Sequence, residues 1–354
     1  MSKFITRKIK NIDTYIPGEQ PKDREYIKLN TNESPFPPSP LAQRLMRQAV
    51  GDCALYPDPE YNALLNVAAE VYGVEKGNIL FTNGSDEALS FAFSAFCDEF
   101  SPAVFADITY GFYRVFADYY GVKSKIVPLR EDFSLCADDY ADSQGTVFIA
   151  NPNAPTGILL RIDDIENILT KNPDNVVVID EAYIDFGGES AVKLIKKYDN
   201  LLVVKTFSKS GSMAGARLGV AIGNEEIISD LKKVKYSLNP YNVNRMSAAG
   251  GIGVLLDKDY FETNRKKIIE TRERLKKELL SIGFSLTDSK ANFVFAKHFG
   301  CSGEYIYKKL KEKGILVRYF DLPRIKDYVR ITVGSDEETD SLILALKQIL
   351  KEIK

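Results

Sequence analysis

Two apolar runs, Val176-Val-Val-Ile-Asp180 and Leu201-Leu-Val-Val-Lys205, constrain this chain most. Each is short and continuously aliphatic, which suits a strand buried on both faces. Between them, Ser190-Ala-Val-Lys-Leu-Ile-Lys-Lys-Tyr198 has helical spacing. Strand, helix and strand in that order need a crossover, so the two strands run parallel. Asp180 and the turn after Lys205 then emerge at the same edge of one sheet. That edge, at the carboxyl ends of parallel strands, is where open α/β sheets bind ligands.

The residues expected at this edge suit a covalently held phosphate cofactor. After the second strand comes Thr206-Phe-Ser-Lys-Ser-Gly-Ser-Met-Ala-Gly-Ala-Arg217. Lys209 can condense with an aldehyde. Thr206, Ser208 and Arg217 offer two hydroxyls and a fork of N–H donors to a phosphate. Asp180 ends an apolar run, so it is expected to be buried and to need a partner, such as a protonated ring nitrogen. Upstream, Ile79-Leu-Phe-Thr-Asn-Gly-Ser-Asp-Glu-Ala-Leu89 reads as a strand passing through Gly84 into a helix. The free N–H groups of Gly84, Ser85 and Asp86 at such a helix start form an anion site. A fourth segment, Asn151-Pro-Asn-Ala-Pro-Thr-Gly157, follows the strand Thr146–Ala150 and fixes a rigid amide-bearing turn.

In this order the four segments resemble the fold-type I pyridoxal-phosphate enzymes, the aspartate aminotransferase superfamily, and within it the histidinol-phosphate aminotransferase subgroup. Further matching motifs are Tyr15-Ile-Pro-Gly-Glu19, Leu29-Asn-Thr-Asn-Glu-Ser-Pro35, Tyr56-Pro-Asp-Pro-Glu60, Thr109-Tyr-Gly-Phe-Tyr113, Asp180–Phe186, Pro240–Asn244, Gly314–Arg318 and Val329–Gly334. The resemblance covers nearly the whole chain. It implies an α/β fold: a large domain with a mostly parallel central sheet between helices, plus a smaller α+β domain built from both termini. It implies pyridoxal 5'-phosphate as cofactor, with Lys209, Asp180 and Tyr183 as catalytic residues. Lys209 would bind the cofactor and move the substrate proton, Asp180 would pair with the ring nitrogen, and Tyr183 would donate to the phenolic oxygen. Tyr110 would stack on the ring. Gly84, Ser85, Asp86, Thr206, Ser208 and Arg217 would take the phosphate. Tyr56 would reach the cofactor of a second subunit, which implies a homodimer with shared sites. Tyr15, Asn32, Arg318 and Arg330 would meet the substrate, and Arg324 stays open as an alternative second cation. One position departs from the common pattern: Ala154 stands where many members carry Asn, so Asn153 or Asn151 is expected to take over, or Tyr183 to act alone.

The activity implied is exchange of the amine of histidinol phosphate with 2-oxoglutarate, giving imidazole acetol phosphate and glutamate, in histidine biosynthesis. The rivals are a phosphothreonine decarboxylase, an aromatic or broad-range amino-acid aminotransferase, and a non-catalytic or regulatory relative. The last usually carries an added basic DNA-binding domain.

Length and charge are consistent with this. The chain has 354 residues and a formal net charge of −2, enough for a large core and without a basic block for nucleic acid or membrane. Cys53, Cys97, Cys136 and Cys301 are scattered, which reads as reduced thiols in a cytoplasmic protein. The lone His298 has no ligand cluster around it, so no metal site is expected. Met1–Lys10 is basic without a secretory core. The boundaries read as an arm over 1–40, a cofactor-binding unit over 41–257 and a C-terminal unit over 258–354. Pro35–Pro40 is a rigid crossing, and a long amphipathic helix from Asp259 to Ile282 joins the units. Beyond it lie strand-like Ala291–Ala296, Ile315–Tyr319 and Tyr328–Val333, and helical Glu304–Lys313 and Ser341–Ile353.

Overall fold

The computed structural model describes residues 2–352; Met1, Ile353, which is the last residue of the Ser341–Ile353 expectation, and Lys354 lie outside it. The first strand, β1 (Ile27–Lys28), belongs to a unit completed by the end of the chain. The main sheet follows: β2 (Ile79–Thr82), β3 (Ala103–Ala106), β4 (Ser124–Val127), β5 (Thr146–Ala150), β6 (Val177–Asp180), β7 (Leu201–Thr206) and β8 (Gly219–Gly223). Its order is β2-β8-β7-β6-β5-β3-β4. Only β8 runs against its neighbours, so six strands share one direction.

Alternation along each strand makes the two faces of this sheet. Ile79, Phe81, Val147, Ile149, Val177, Ile179, Leu201 and Val203 pack one way, onto helices Asn62–Tyr72 and Ile162–Thr170. Leu80, Phe105, Phe148, Val178, Leu202 and Val204 pack the other way, onto Ser85–Phe96, Phe112–Tyr120 and Glu225–Leu238. Burial on both faces is why these strands read as continuous apolar runs.

The expected parallel pairing of β6 and β7 is present, Asp180 lying opposite Val204. The connection between them differs from expectation. The helical pattern at Ser190–Tyr198 forms only a four-residue 3₁₀ turn, Ala191–Leu194. Its first amides donate to the Glu181 and Ser190 side chains, as at a capped helix start, and the turn ends at Ile195.

A helix over Lys258–Ser281 leads out of the main sheet, one residue earlier at each end than expected. Its charges are not all solvated. Arg272 is buried and donates from Nη1 to the carbonyls of Phe186 and Ala291, both at 2.9 Å. Beyond it come β9 (Phe284–Leu286), β10 (Phe293–His298), β11 (Ile315–Leu316), β12 (Arg318–Tyr319) and β13 (Tyr328–Thr332), with helices Gly303–Glu312 and Asp336–Glu352. The antiparallel order is β12-β13-β10-β9. The single run expected at Ile315–Tyr319 splits at Val317: β11 pairs in parallel with β1, and β12 pairs with β13. Residues from both ends of the chain therefore share one core, Leu29 packing with Leu275, Val294, Val329 and Leu346.

Candidate active site

The edge where the parallel strands end gathers the chemistry. β7 leads into the Lys209 turn, β6 ends at Asp180, β2 ends two residues before Gly84, and β8 begins two residues after Arg217.

Asp180 is buried, accepting from the Tyr113 hydroxyl at 3.1 Å and the Ala182 amide at 3.2 Å. Burial pushes its carboxyl up to about 7, against the pull of the Tyr113 hydrogen bond. A cationic partner would reverse that. Tyr113 carries no role in the sequence reading. Its signal is its place three residues after Tyr110, on the inward face of helix Phe112–Tyr120.

Lys209 Nζ donates to the Thr31 carbonyl at 3.0 Å and lies 5.7 Å from the Tyr183 ring centroid. Enclosure, and then the nearby Arg330 charge, lower its pKa to about 8. The free amine is therefore far more populated near neutral pH than in an ordinary lysine. Tyr183 accepts from Asn32 Nδ2 at 3.0 Å, and Asn32 accepts in turn from Thr332 Oγ1 at 3.0 Å. Asn292 Nδ2 holds the Asn32 carbonyl at 3.0 Å. Thr332 and Asn292 thus fix the expected substrate residue Asn32 from the C-terminal unit; lone polar residues inside strand patterns gave no earlier sign of it.

The residues expected to take the phosphate gather around Gly84. This residue has φ +79° and caps helix Ser85–Phe96. A Cβ there would lie 2.6 Å from Arg217 Nη2, so only glycine admits the guanidinium so near the helix amides. Gly219 is needed for the same packing, because its Cβ would sit 2.5 Å from the Ser85 nitrogen. Asp86 accepts from Arg217 Nη2 at 3.2 Å and from the Tyr110 hydroxyl at 2.7 Å. Thr206 Oγ1 bonds Ser208 Oγ at 3.0 Å and takes the Ser208 amide at 3.1 Å.

In the Asn151–Gly157 turn both asparagine side chains have protein partners. Asn153 accepts from Thr109 at 2.8 Å and donates to the Ile108 carbonyl and Thr156 hydroxyl, both at 3.0 Å. Asn151 is fully buried, and its side chain bonds to the backbone of Leu160. Ala154 packs with Tyr183, Ala291 and Phe293.

The arginines also sort themselves. Arg330 donates from Nη2 to the Asn30 carbonyl at 3.1 Å, while its enclosed Nε has no partner among the described residues. Arg318 holds the arm, donating to the carbonyls of Ile16 at 2.7 Å and Pro17 at 3.1 Å. Arg324 is spoken for by Asp107 at 2.6 Å and by the carbonyls of Leu129 and Arg130. Tyr15 stacks on Phe112 at 4.3 Å and lies 6.3 Å from Tyr110. Tyr56 lies away from these groups, 76% exposed and stacked on Tyr241 at 4.5 Å. No cluster of metal-ligating side chains occurs among the described residues, and no helix there is long and apolar enough to cross a membrane.

Residues 24–346 match the family model for aminotransferase class I and II. The chain belongs to the class I and II aminotransferases. This aminotransferase is 50% identical over 353 residues to a histidinol-phosphate aminotransferase of Brachyspira hyodysenteriae, covering 99% of this chain and 100% of the relative. It is 48% identical over 351 residues to the enzyme of that name in Clostridium acetobutylicum, covering 99% and 100%. The solved histidinol-phosphate aminotransferase of Sinorhizobium meliloti, in complex with pyridoxal-5'-phosphate, superposes with a TM-score of 0.89 at 25% identity, covering 100% of this chain and 99% of that one. The expected α/β architecture is the one this neighbour shares. The aminotransferase edge fits the cofactor: a glycine cradle with Arg217, an enclosed carboxyl at Asp180 and a weakly basic lysine at Lys209.

Proposed function

We propose that this aminotransferase exchanges the amine of histidinol phosphate with 2-oxoglutarate, giving imidazole acetol phosphate and glutamate, with pyridoxal 5'-phosphate as its cofactor. One observation carries the substrate choice. Arg318 and Arg330 are register partners on β12 and β13, and neither pairs with a carboxylate among the described residues. Arg330 also acts directly on the Lys209 amine. Two unneutralised cations suit a dianionic phosphate ester, and one of them alone suits the carboxylate of glutamate. The named relatives support the same choice.

Bound pyridoxal phosphate supplies an aldehyde that condenses with amines and a ring that stores the electron pair left at the α-carbon. The residues do the rest. Gly84, Ser85 and Asp86 at the helix start, with Thr206, Ser208 and Arg217, would hold the phosphate. Asp180 would accept from the ring N–H, and Tyr113 orients Asp180. Tyr183 would donate to the phenolic oxygen, and Tyr110 would flank the ring. Lys209 Nζ would take up and return the substrate α-proton, for which a pKa near the working pH is suited. Arg330 and Arg318 hold the substrate anion, with Asn32 and Tyr15 beside it. The arm carrying Tyr15 excludes water while Arg318 holds its backbone.

The exposed Tyr56 supports a homodimer in which it completes the partner's site. The separate sheets support the division into 1–40, 41–257 and 258–354. Reduced cysteines and a biosynthetic activity support a cytoplasmic location.

The test is a single turnover on cofactor-loaded protein. Histidinol phosphate without keto acid should convert the bound cofactor stoichiometrically to its amine form, much faster than phenylalanine does. Carbon dioxide release from phosphothreonine, with no lasting spectral change, would instead make the chain a decarboxylase.

A further inference from the structure

The segment from Asp180 to Asp185 serves two purposes. Asp180 and Tyr183 belong to the site just described. Glu181 and Asp185 instead bind Lys205, at 3.1 and 3.4 Å. Lys205 is a buried side chain of β7, four residues before Lys209. Asp185 has a second partner: Ser210 Oγ donates to its Oδ2 at 2.5 Å, and Ser210 directly follows Lys209. Both ends of the Lys205–Ser210 turn are therefore tied to one carboxylate.

The surroundings hold the neighbouring Glu181 carboxylate and the Asp185 backbone. Glu181 accepts from Ser190 Oγ at 2.5 Å and from the Ala191 amide at 2.6 Å. Arg265 Nη1 donates to the Asp185 carbonyl at 3.2 Å from the long helix. The ammonium of Lys205 stays charged because the two carboxylates outweigh its burial, and its pKa rises. A buried ionic group of this kind adds little net stability over an apolar replacement, but it does fix geometry. Here the geometry fixed is that of Lys209 relative to Tyr183, two residues before Asp185.

We propose that Lys205, Glu181, Asp185 and Ser210 form a positioning lock that sets where the Lys209 amine sits relative to Tyr183, with the Ser210–Asp185 hydrogen bond as its link to the reacting lysine. The lock deepens the proposed function and rests on Lys209 being the reacting amine. It works through position. The charges that act on the Lys209 amine come from Arg330, Glu33, Asp86 and Arg217, and none of these belongs to the lock.

The test uses the cofactor-loaded Ser210→Ala and Ser210→Thr variants, with Asp185→Asn as a second break in the lock. Four quantities are read: the pH midpoint of the bound-cofactor absorbance, kcat, KM, and the thermal midpoint of the cofactor-free protein. Loss of position should lower kcat about tenfold with KM little changed, since small displacements of a reacting group are costly. Ser210→Ala and Asp185→Asn should also move the absorbance midpoint, and Ser210→Thr, which keeps the hydroxyl, should restore both properties. The thermal midpoint of cofactor-free Ser210→Ala should stay close to wild type, whereas Asp185→Asn, which takes one carboxylate from a buried ammonium, should lower it. An unchanged absorbance midpoint and kcat in Ser210→Ala, failure of threonine to restore them, or losses in Ser210→Ala that track its thermal midpoint would each overturn the lock. Borohydride reduction followed by peptide mass analysis separates the two ideas: absence of cofactor mass on Lys209 in the wild type would remove the parent reading instead.

Discussion

Arg318 and Arg330 are register partners across the antiparallel β12–β13 pair, and both guanidinium groups lie against the Phe320 ring. Arg330 sits over the Phe293 and Phe320 rings at 5.3 and 5.6 Å, and Arg318 over Phe320 at 5.3 Å. The aromatic faces offset part of the repulsion between the cations. The remainder is relieved by an anion, so the pair favours binding phosphate and carboxylate.

Arg330→Ala should lower kcat/KM for both histidinol phosphate and 2-oxoglutarate by about 10²–10³, the range for losing a buried charged contact. Arg330→Lys should recover only part, because an ammonium lacks the planar fork. Arg318→Ala should cost about tenfold, and more with the phosphate ester than with the keto acid. Steady-state kinetics with both substrates decide this; equal losses in Arg318→Ala would end the idea of a second cation reserved for phosphate.

Asp180 makes the cofactor-free protein sensitive to pH. Its folded pKa is about 7 and the ordinary carboxyl value is 3.8, so the folded state holds the proton more tightly. The contribution is present below pH 4 and is lost as pH rises through 7. Asp180→Asn should therefore flatten the fall in stability over that window, as measured by denaturant unfolding of the cofactor-free protein. Cofactor binding should shrink the same slope in the wild type, because a ring cation favours the carboxylate.

Gly84→Ala should weaken cofactor binding about 10–100-fold, combining strain at positive φ with displacement of the Arg217 guanidinium. Fluorescence titration of cofactor into the cofactor-free variant gives the constant. Affinity equal to wild type would mean that Arg217 does not serve the phosphate.

Ala154→Asn would place an amide beside Tyr183. The pH titration of bound-cofactor absorbance should shift relative to the wild type, and thermal stability should fall, because the site is apolar. Superimposable titration curves would show that this position does not tune the cofactor.

A dimer with shared sites predicts complementation. Lys209→Ala and Tyr56→Ala subunits, each weakly active alone, should regain activity when unfolded together and refolded. Random pairing makes half the dimers mixed, each with one intact site, so recovery should approach about a quarter of wild type. Recovery no greater than the sum of the two parents would place Tyr56 outside the partner's site.

The sequence by itself determined the sheet edge and most of its chemistry. Continuous apolar runs ending in Asp180 and in the Lys209 turn state both burial and direction, because a strand covered on both faces cannot alternate. Gly84 before a helix start is equally legible, since positive φ and close approach favour one residue type. Tertiary structure alone decided the rest. It bonded Asn153 to the Ile108 carbonyl and Arg324 to Asp107, and left Arg330 Nε without a partner among the described residues. It reduced the helical pattern at Ser190–Tyr198 to a single 3₁₀ turn, Ala191–Leu194. It also brought Tyr113 to Asp180 and Ser210 to Asp185 across separations of 67 and 25 residues. Hydrogen-bond partners distant in sequence leave no periodic trace, because which donor meets which acceptor is fixed only when the elements pack.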